Sequence, residues 1–149
     1  MMLKRALSTV LVSAVAAASF AGGEGWLTSW DKAVAESKKT GKVILAEFTG
    51  SDWCYWCKKL EQEVFATKEF KTWAKKNAIL LYLDFPQRTK LEAKLKAQND
   101  GLAKKYKIQG YPTVLVLNSK GDKLGQLGYM PGGPSKWLPE AEKAIKTKK

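Results

Sequence analysis

The sequence predicts an α/β fold in which helices flank a central mixed β-sheet of about four strands. Three nearly continuous apolar runs, at 43–48, 79–83 and 114–117, are typical of strands that are covered on both faces. Helical periodicity separates these runs, and strands joined through a helix run parallel by right-handed crossovers. A turn at 118–122 leads to a more polar edge strand around 124–127. This last pair must be antiparallel, which makes the sheet mixed.

The first predicted helix precedes the sheet. Ser29 is a suitable N-cap for it, and Gly41 is a suitable stop. Four residues between them share a helical stripe: Trp30, Ala33, Val34 and Ser37. Residues 22–25 resemble a short flexible lead. We therefore divide the chain after the N-terminal signal into a lead and helix at 22–41 and a main domain at 42–149.

A second helix is predicted to begin at the two cysteines, after a loop at 49–52. Cys57, Leu60 and Val64 share one stripe of this helix, so Cys57 should face inward. Cys54 lies at the first turn and is expected to stay exposed.

Three further helices are predicted downstream. Thr67 caps the first of them, and its inward positions are Phe70, Trp73 and Ala74. The next is short and lysine-rich over 91–98, is broken at 99–101 and then restarts. The last helix opens at Ser135, with Pro139 near its first turn.

The N-terminus has the pattern of a secretory signal. Lys4 and Arg5 supply positive charge, residues 6–18 are small and apolar, and small residues precede a cleavage point after Ala21. An uncleaved membrane anchor is the alternative, but the run is shorter than the ~20 apolar residues that a spanning helix needs. We therefore expect a signal peptide at 1–21 and a periplasmic or secreted protein, with no stable membrane insertion after cleavage.

Histidine is absent from the sequence. This absence excludes hydrolases built on Ser/His or Cys/His pairs, histidine-ligated haem and most zinc hydrolases. The two cysteines cannot complete a tetrahedral zinc site within one chain. We expect no metal and no cofactor. A copper(I) carrier that uses Cys54 and Cys57 as soft ligands ranks last among the alternatives.

The two cysteines are separated by two residues, as Cys54-Tyr55-Trp56-Cys57. Thiols at this spacing at a helix start lie on one face and can close an internal disulfide. The positive end of the helix dipole also stabilises a thiolate there. An inert staple is the alternative, but a disulfide across so short a loop stabilises little. The spacing therefore favours redox chemistry.

The net charge of +12 comes mainly from scattered lysines, with arginine at Arg5 and Arg88. Proteins that bind nucleic acids usually concentrate arginine as well as lysine on one surface. We therefore expect no nucleic-acid partner, and we expect a monomer.

The order of the motifs resembles the thioredoxin superfamily. The segments that carry the resemblance are Glu47-Phe48, Trp53-Cys54-x-x-Cys57-Lys58 and Gly110-Tyr111-Pro112-Thr113 before a strand. It covers about residues 42–146, and the cysteine loop is similar to that of secreted bacterial thioredoxin-like proteins and the redox domain of thiol:disulfide interchange proteins. The resemblance implies a thioredoxin-like fold.

The resemblance also implies roles for single residues. Cys54 would be the attacking thiolate and Cys57 the resolving thiol. Pro112 would be cis, which leaves the backbone of Tyr111 free to pair with an extended substrate.

Glu47 stands where the superfamily often has a buried carboxylate beneath the cysteines. Desolvation should raise its pKa, and it would accept the proton of Cys57. The alternative is a glutamate at a strand end that reaches solvent, because the superfamily usually has aspartate here and this loop is one residue longer.

The aromatic residues around the cysteines would form the docking surface. Trp53 is expected to pack beside them. Tyr55 and Trp56 depart from the superfamily pattern and would widen the apolar rim that meets partner polypeptides. The proline that kinks the cysteine helix in the superfamily is missing from 58–65.

These observations together predict an enzyme, an extracytoplasmic thiol–disulfide oxidoreductase that acts on protein thiols and disulfides and is recharged by a redox partner protein. Reduction or isomerisation is favoured, because the histidine-containing motif of strong oxidants is absent. A non-catalytic thioredoxin-fold module with a binding or chaperone-like role is the alternative.

Overall fold

The computed structural model describes residues 22–147. The predicted signal peptide, residues 1–21, lies outside the described residues. None of the helices within 22–147 combines the length and the apolar character needed to cross a membrane. The elements follow in chain order: β1 (Trp26–Leu27), α1 (Trp30–Thr40), β2 (Val43–Thr49), α2 (Tyr55–Leu60), a π-helical turn (Glu61–Phe65), α3 (Lys68–Asn77), β3 (Ala78–Asp84), α4 (Ala93–Lys105), β4 (Thr113–Leu117), β5 (Lys123–Leu127) and α5 (Pro134–Lys146).

A mixed sheet with the strand order β1-β3-β2-β4-β5 forms the centre of the described chain. The α/β prediction is confirmed, and β2 and β3 are parallel as expected. The sheet contains one strand more than predicted, because β1 pairs with β3 directly after the expected flexible lead. A strand of two residues is too short to produce a periodic pattern in the sequence.

The direction of β4 differs from the prediction. β4 follows a helix, yet it runs antiparallel to β2, with Thr113 opposite Phe48. The chain leaves β3 at Asp84, which lies opposite Thr49. The connection through α4 therefore starts and finishes at the same end of β2. Because α4 does not carry the chain to the other end of the sheet, β4 has to run back.

Strand β2 is buried along its whole length. Its side chains alternate between two apolar clusters, one on each face of the sheet. Val43 and Leu45 pack on the face that also holds Leu60 of α2 and Trp137 of α5. The opposite face holds Ile44, Ala46 and Phe48 with residues of α1 and α4. Glu47 is two residues after Leu45 in the same strand, so its side chain points to the same face of the sheet, the one covered by α2.

The predicted caps of α1 and α3 are confirmed. Ser29 accepts a hydrogen bond from the N–H of Lys32, and Thr67 accepts one from the N–H of Phe70. Gly41 ends α1 in the left-handed conformation, with φ of 74°, which costs glycine little. The last helix begins one residue earlier than predicted, at Pro134, so Pro139 lies inside α5 rather than near its first turn.

The predicted break in α4 is wrong. One helix runs from Ala93 to Lys105, straight through residues 99–101. The side-chain amide of Asn99 donates to the Asp84 carbonyl over 3.0 Å. Lys96 also pairs with Asp100 one turn later. These contacts hold the helix through residue types that often end one.

Candidate active site

The two cysteines form a disulfide at the start of α2. Cys54 is the N-cap of the helix and Cys57 lies in its first turn, with their Cα atoms 5.3 Å apart. The backbone N–H of Cys57 donates to the Sγ of Cys54 over 3.2 Å. Once the bond is reduced, this N–H and the helix dipole favour a thiolate on Cys54.

Both cysteines are buried in this oxidised structure. Cys54 is 5% exposed and Cys57 is 3% exposed. The inward position of Cys57 is confirmed, whereas the expectation that Cys54 stays exposed is wrong. The bond to Cys57 and the hydrogen bond from its N–H hold the Cys54 sulfur against the first turn of the helix.

Trp53 is fixed from two sides immediately before Cys54. Its indole N–H donates to the carbonyl of Phe85 over 2.8 Å, and its ring meets that of Tyr111 edge-on at 5.6 Å. A Cβ on Gly50 would overlap the indole, so the loop requires glycine at this point. Trp53 therefore joins the cysteine loop to the end of β3 and to the loop that contains Tyr111 and Pro112, here called the proline loop.

The proline loop reaches the same end of the sheet as the cysteines. The Tyr111–Pro112 peptide bond is cis. The Thr113 hydroxyl donates to the carbonyl of Gly110 over 2.7 Å and closes the turn. Because Thr113 lies opposite Phe48, the proline loop lies beside the C-terminal end of β2, where the cysteine loop begins.

Two aspartates that the sequence analysis missed tie the cysteine loop to the segment after β3. The Asp52 carboxylate accepts from the N–H groups of Gln87, Arg88 and Thr89 over 2.7–3.0 Å. These bonds, above all the one from Gln87, lower the pKa of Asp52. Asp84 accepts from the N–H and hydroxyl of Ser51. The sequence gives no signal for such pairing, because the partners are 33 or more positions apart.

An exposed aromatic rim borders the disulfide. Tyr55 is 63% exposed and Trp56 is 51% exposed. The Trp56 ring lies 5.0 Å from that of Tyr129, whose hydroxyl donates to Glu63 over 2.7 Å. Glu63 also pairs with Lys59 at 2.6 Å. The sequence analysis missed Tyr129, which comes from the loop between β5 and α5.

Glu47 lies in the interior, with 1% of its surface exposed. The alternative in which this side chain reaches solvent is therefore wrong. Its Oε2 has no hydrogen-bond partner among the described residues. Desolvation raises the pKa of Glu47 well above its usual range, and the charges of Glu61 and Asp84 raise it further, against the Thr49 hydroxyl, which lowers it.

A cavity of about 280 Å³ connects Glu47 with the resolving position of the disulfide. Its lining consists of Gly22, Glu47, Thr49, Ser51, Cys57, Lys58, Glu61, Gln62 and Tyr82. Lys58 and Gln62 are exposed and lie at the rim, so the cavity opens to solvent. A proton can pass through water in such a space between Cys57, the buried carboxyl and the exterior.

Within residues 22–147, no group of three or more His, Cys, Asp or Glu residues could hold a metal ion. The arrangement instead combines an oxidisable dithiol, a buried carboxyl group and a solvent-connected cavity. Of these features, the oxidisable dithiol is the one that dithiol–disulfide exchange requires.

The family model of the thioredoxin-like domain matches residues 30–142. The chain is 32% identical over 118 residues to the disulfide bond reductase DsbH of Chlamydia pneumoniae, covering 79% of this chain and 71% of that protein. It is 24% identical over 103 residues to the thioredoxin-related protein DsbJ of the same organism, covering 69% of this chain and 30% of DsbJ. A solved structure of a DsbH oxidoreductase aligns with a TM-score of 0.78 at 31% identity, over 81% of this chain and 83% of that one.

Proposed function

This chain belongs to the thioredoxin-like family and is a thiol–disulfide oxidoreductase, and from that premise we propose that it reduces or isomerises protein disulfides outside the cytoplasm. The observation that carries the proposal is the disulfide between Cys54 and Cys57, with Glu47 beneath it in a shared cavity. The name of the DsbH relative, a disulfide bond reductase, supports the direction. The signal pattern of residues 1–21 supports a periplasmic or secreted location.

The first step in this proposal is an attack by Cys54. The Cys54 thiolate attacks one sulfur of a substrate disulfide and forms a mixed disulfide. The electron pair of the broken bond leaves on the other substrate sulfur, which takes a proton from solvent. The N–H of Cys57, which donates to Cys54 Sγ, stabilises the attacking thiolate before the reaction.

The second step releases the substrate. The Cys57 thiol gives its proton to the Glu47 carboxylate and attacks Cys54 Sγ. The bond between Cys54 and the substrate breaks, and the substrate leaves as a thiolate. Two electrons have then passed from the dithiol to the substrate, and a redox partner protein has to reduce the Cys54–Cys57 bond again.

Substrate polypeptides would dock on the surface around the disulfide. The docking residues in this proposal are Trp53, Tyr55, Trp56, Tyr111 and Pro112. Their support is the exposure of the aromatic rim and the contact between Trp53 and Tyr111. Exposed aromatic side chains of this kind suit contact with extended or unfolded chains, and a monomer would leave them free.

One experiment tests both the direction and the cysteine roles. The reduced protein is mixed with a disulfide-containing protein substrate, and the products are separated on non-reducing gels and weighed by mass spectrometry. We expect the wild-type chain to yield free substrate thiols together with an oxidised Cys54–Cys57 pair. Cys57→Ser should stop at a covalent adduct through Cys54, because the resolving thiol is gone.

Cys54→Ser is the matched control, since it also removes one thiol from the same helix turn. It should form at least tenfold less adduct than Cys57→Ser, because the Cys57 thiol lacks the helix-start N–H that Cys54 Sγ accepts from. Equal trapping by Cys54→Ser with none by Cys57→Ser would reverse the assignment. No substrate reduction by the wild-type chain would contradict the reductase proposal.

A further inference from the structure

Glu61 is a second carboxyl group in the cavity beneath the disulfide. It is the first residue of the π-helical turn that continues α2, and its N–H donates to the carbonyl of Cys57 one turn earlier. Its side chain is half-buried and lines the same cavity as Glu47 and Cys57. Nothing in the proposed function assigns this residue a task.

Glu61 lies at the junction between α2 and the π-helical turn. The N–H of Ala66 donates to the Glu61 carbonyl over 2.8 Å, which is the five-residue spacing of a π-turn. Such a turn is wider than an α-helical one and displaces the residues that follow. Cys57 and Glu61 lie before that displacement and are four residues apart, so they share one face of the helix and both line the cavity above β2. Leu60 and Val64 lie in the core.

The charged groups around the cavity come from several elements. Glu47 projects from β2, Asp84 and the phenol of Tyr82 come from β3, and Lys58 lines the cavity from α2. Burial raises the pKa of Glu61, while Lys71 of α3 lowers it. Burial also raises the pKa of Tyr82 above its usual value, so this phenol stays neutral.

Two carboxyl groups in one small cavity do not ionise independently, because the first negative charge disfavours the second. Glu47 and Glu61 differ in their access to water: Glu47 is buried, whereas Glu61 is partly exposed and also borders a second cavity beside α3. A proton taken up by Glu47 therefore has a nearby acceptor that contacts solvent.

We propose that Glu61 is the outer proton carrier of the active site, which takes from Glu47 the proton that Cys57 has released and passes it to solvent. The proposal rests on the proposed role of Glu47 as acceptor of that proton. In this proposal Glu61 acts through Glu47 and not on a sulfur atom. The proton balance is closed, because one proton leaves Cys57, passes over the two carboxyl groups and enters the bulk solvent. The electrons move only between the sulfur atoms.

The test separates the two chemical steps. The reduced full chain is mixed rapidly with an aromatic disulfide that releases a coloured thiolate first on attack by Cys54 and again on resolution by Cys57. For Glu61→Gln we expect the first phase to match wild type. The second phase should be about 5–10-fold slower at pH 7, a part of the ~10²-fold that general acid–base catalysis contributes. Its acid limb should move to lower pH, because the charge that raises the proton affinity of Glu47 is gone.

Glu61→Asp should restore at least half of the lost rate, since the carboxyl group is retained. Glu69→Gln removes the same charge from an exposed position of α3 and should match wild type in both phases. A readout that does not depend on turnover is the carboxyl ¹³C shift of Glu47. It should titrate in two steps in wild type and in one step in Glu61→Gln.

The proposal is overturned if Glu61→Gln keeps the wild-type resolution rate and pH profile, or if Glu69→Gln slows resolution equally. A two-step Glu47 titration that survives in Glu61→Gln would overturn it as well. Loss of the first phase in every protein, wild type included, would instead overturn the thiol chemistry on which it rests.

Discussion

Glu47 shows how one residue can work against the stability of its own fold. A carboxyl group in a fully buried strand is costly to ionise. Burial raises the pKa of Glu47, so the folded chain holds this proton more tightly than the unfolded chain does. The free energy of unfolding must then fall as pH rises from the ordinary carboxyl range to the pKa of the folded state, and it levels off above that pKa.

We predict that Glu47→Gln stabilises the oxidised protein at neutral pH. The amide has the shape of the carboxyl group and never ionises, so the gain should be roughly 1–3 kcal/mol at pH 7. Near pH 4 the carboxyl is protonated in the folded state and largely so in the unfolded state, and the gain should vanish. Urea unfolding at the two pH values measures both quantities.

The control for this prediction is Glu36→Gln, an exposed position on α1. It should change the unfolding free energy by less than about 0.5 kcal/mol at either pH. A Glu47→Gln variant with wild-type stability at pH 7 would show that Glu47 is hydrated in the folded chain.

At the scale of single elements, α4 and the π-helical turn are where the chain departs from its sequence signals. Residues 99–101 have the composition of a helix break. Asn99, however, donates a hydrogen bond to the carbonyl of Asp84, which lies in β3, 15 positions earlier in the chain. No window of local sequence contains that partner. Local propensity is therefore overruled by a tertiary contact.

Gly101 is accordingly a weak point in an otherwise continuous helix. A Cβ at this position would meet no atom within 4 Å. We predict that Gly101→Ala stabilises the protein by about 0.5–1 kcal/mol, because alanine loses less conformational entropy in a helix than glycine does. Chemical denaturation of the oxidised protein measures the change.

Gly125→Ala is the matched control on β5. There the added Cβ would lie 2.5 Å from the Cβ of Ala144 in α5, so the same substitution should destabilise by about 1–3 kcal/mol. If Gly101→Ala destabilised to a similar degree, residues 99–101 would not be helical in solution.

At the scale of the whole molecule, β1 extends the fold beyond the segment that matches the family model, which begins at residue 30. The strand has two residues, but Trp26 is 3% exposed and fills one apolar cluster. Its ring lies 5.2 Å from Phe65, 6.4 Å from Phe70 and 6.2 Å from Tyr82. The edge strand thus anchors the core on the side of the cysteine helix.

We predict that Trp26→Ala lowers the free energy of unfolding by about 3–5 kcal/mol, the usual cost of emptying a large aromatic site. That is a large share of the 5–15 kcal/mol typical of a domain. Urea denaturation gives the value. Tyr55→Ala is the control, because this exposed aromatic should leave stability within about 0.5 kcal/mol of wild type. A small effect of Trp26→Ala would mean that the segment before α1 detaches in solution.

The sequence predicted those parts of the molecule that depend on local pattern or on spacing. The buried strands, the caps at Ser29 and Thr67, and the inward Cys57 all follow from periodicity and short motifs. The direction of β4, the tether from Asp52, the packing of Tyr129 on Trp56 and the cavity position of Glu61 depend on segments that meet only in the folded chain. The burial of Cys54 in the disulfide-bonded structure is likewise not encoded in residue spacing.

The burial of β2 along its whole length bears on the order in which activity and fold would be lost. The raised pKa of Glu47 depends on the intact sheet, because it comes mainly from burial of the side chain. Swelling that hydrated the middle of the sheet would return the group to the acidity of a free glutamate, even with every helix still in place. In the proposed mechanism, activity would then be lost before the fold itself is lost, because Glu47 would no longer hold the proton of Cys57 tightly.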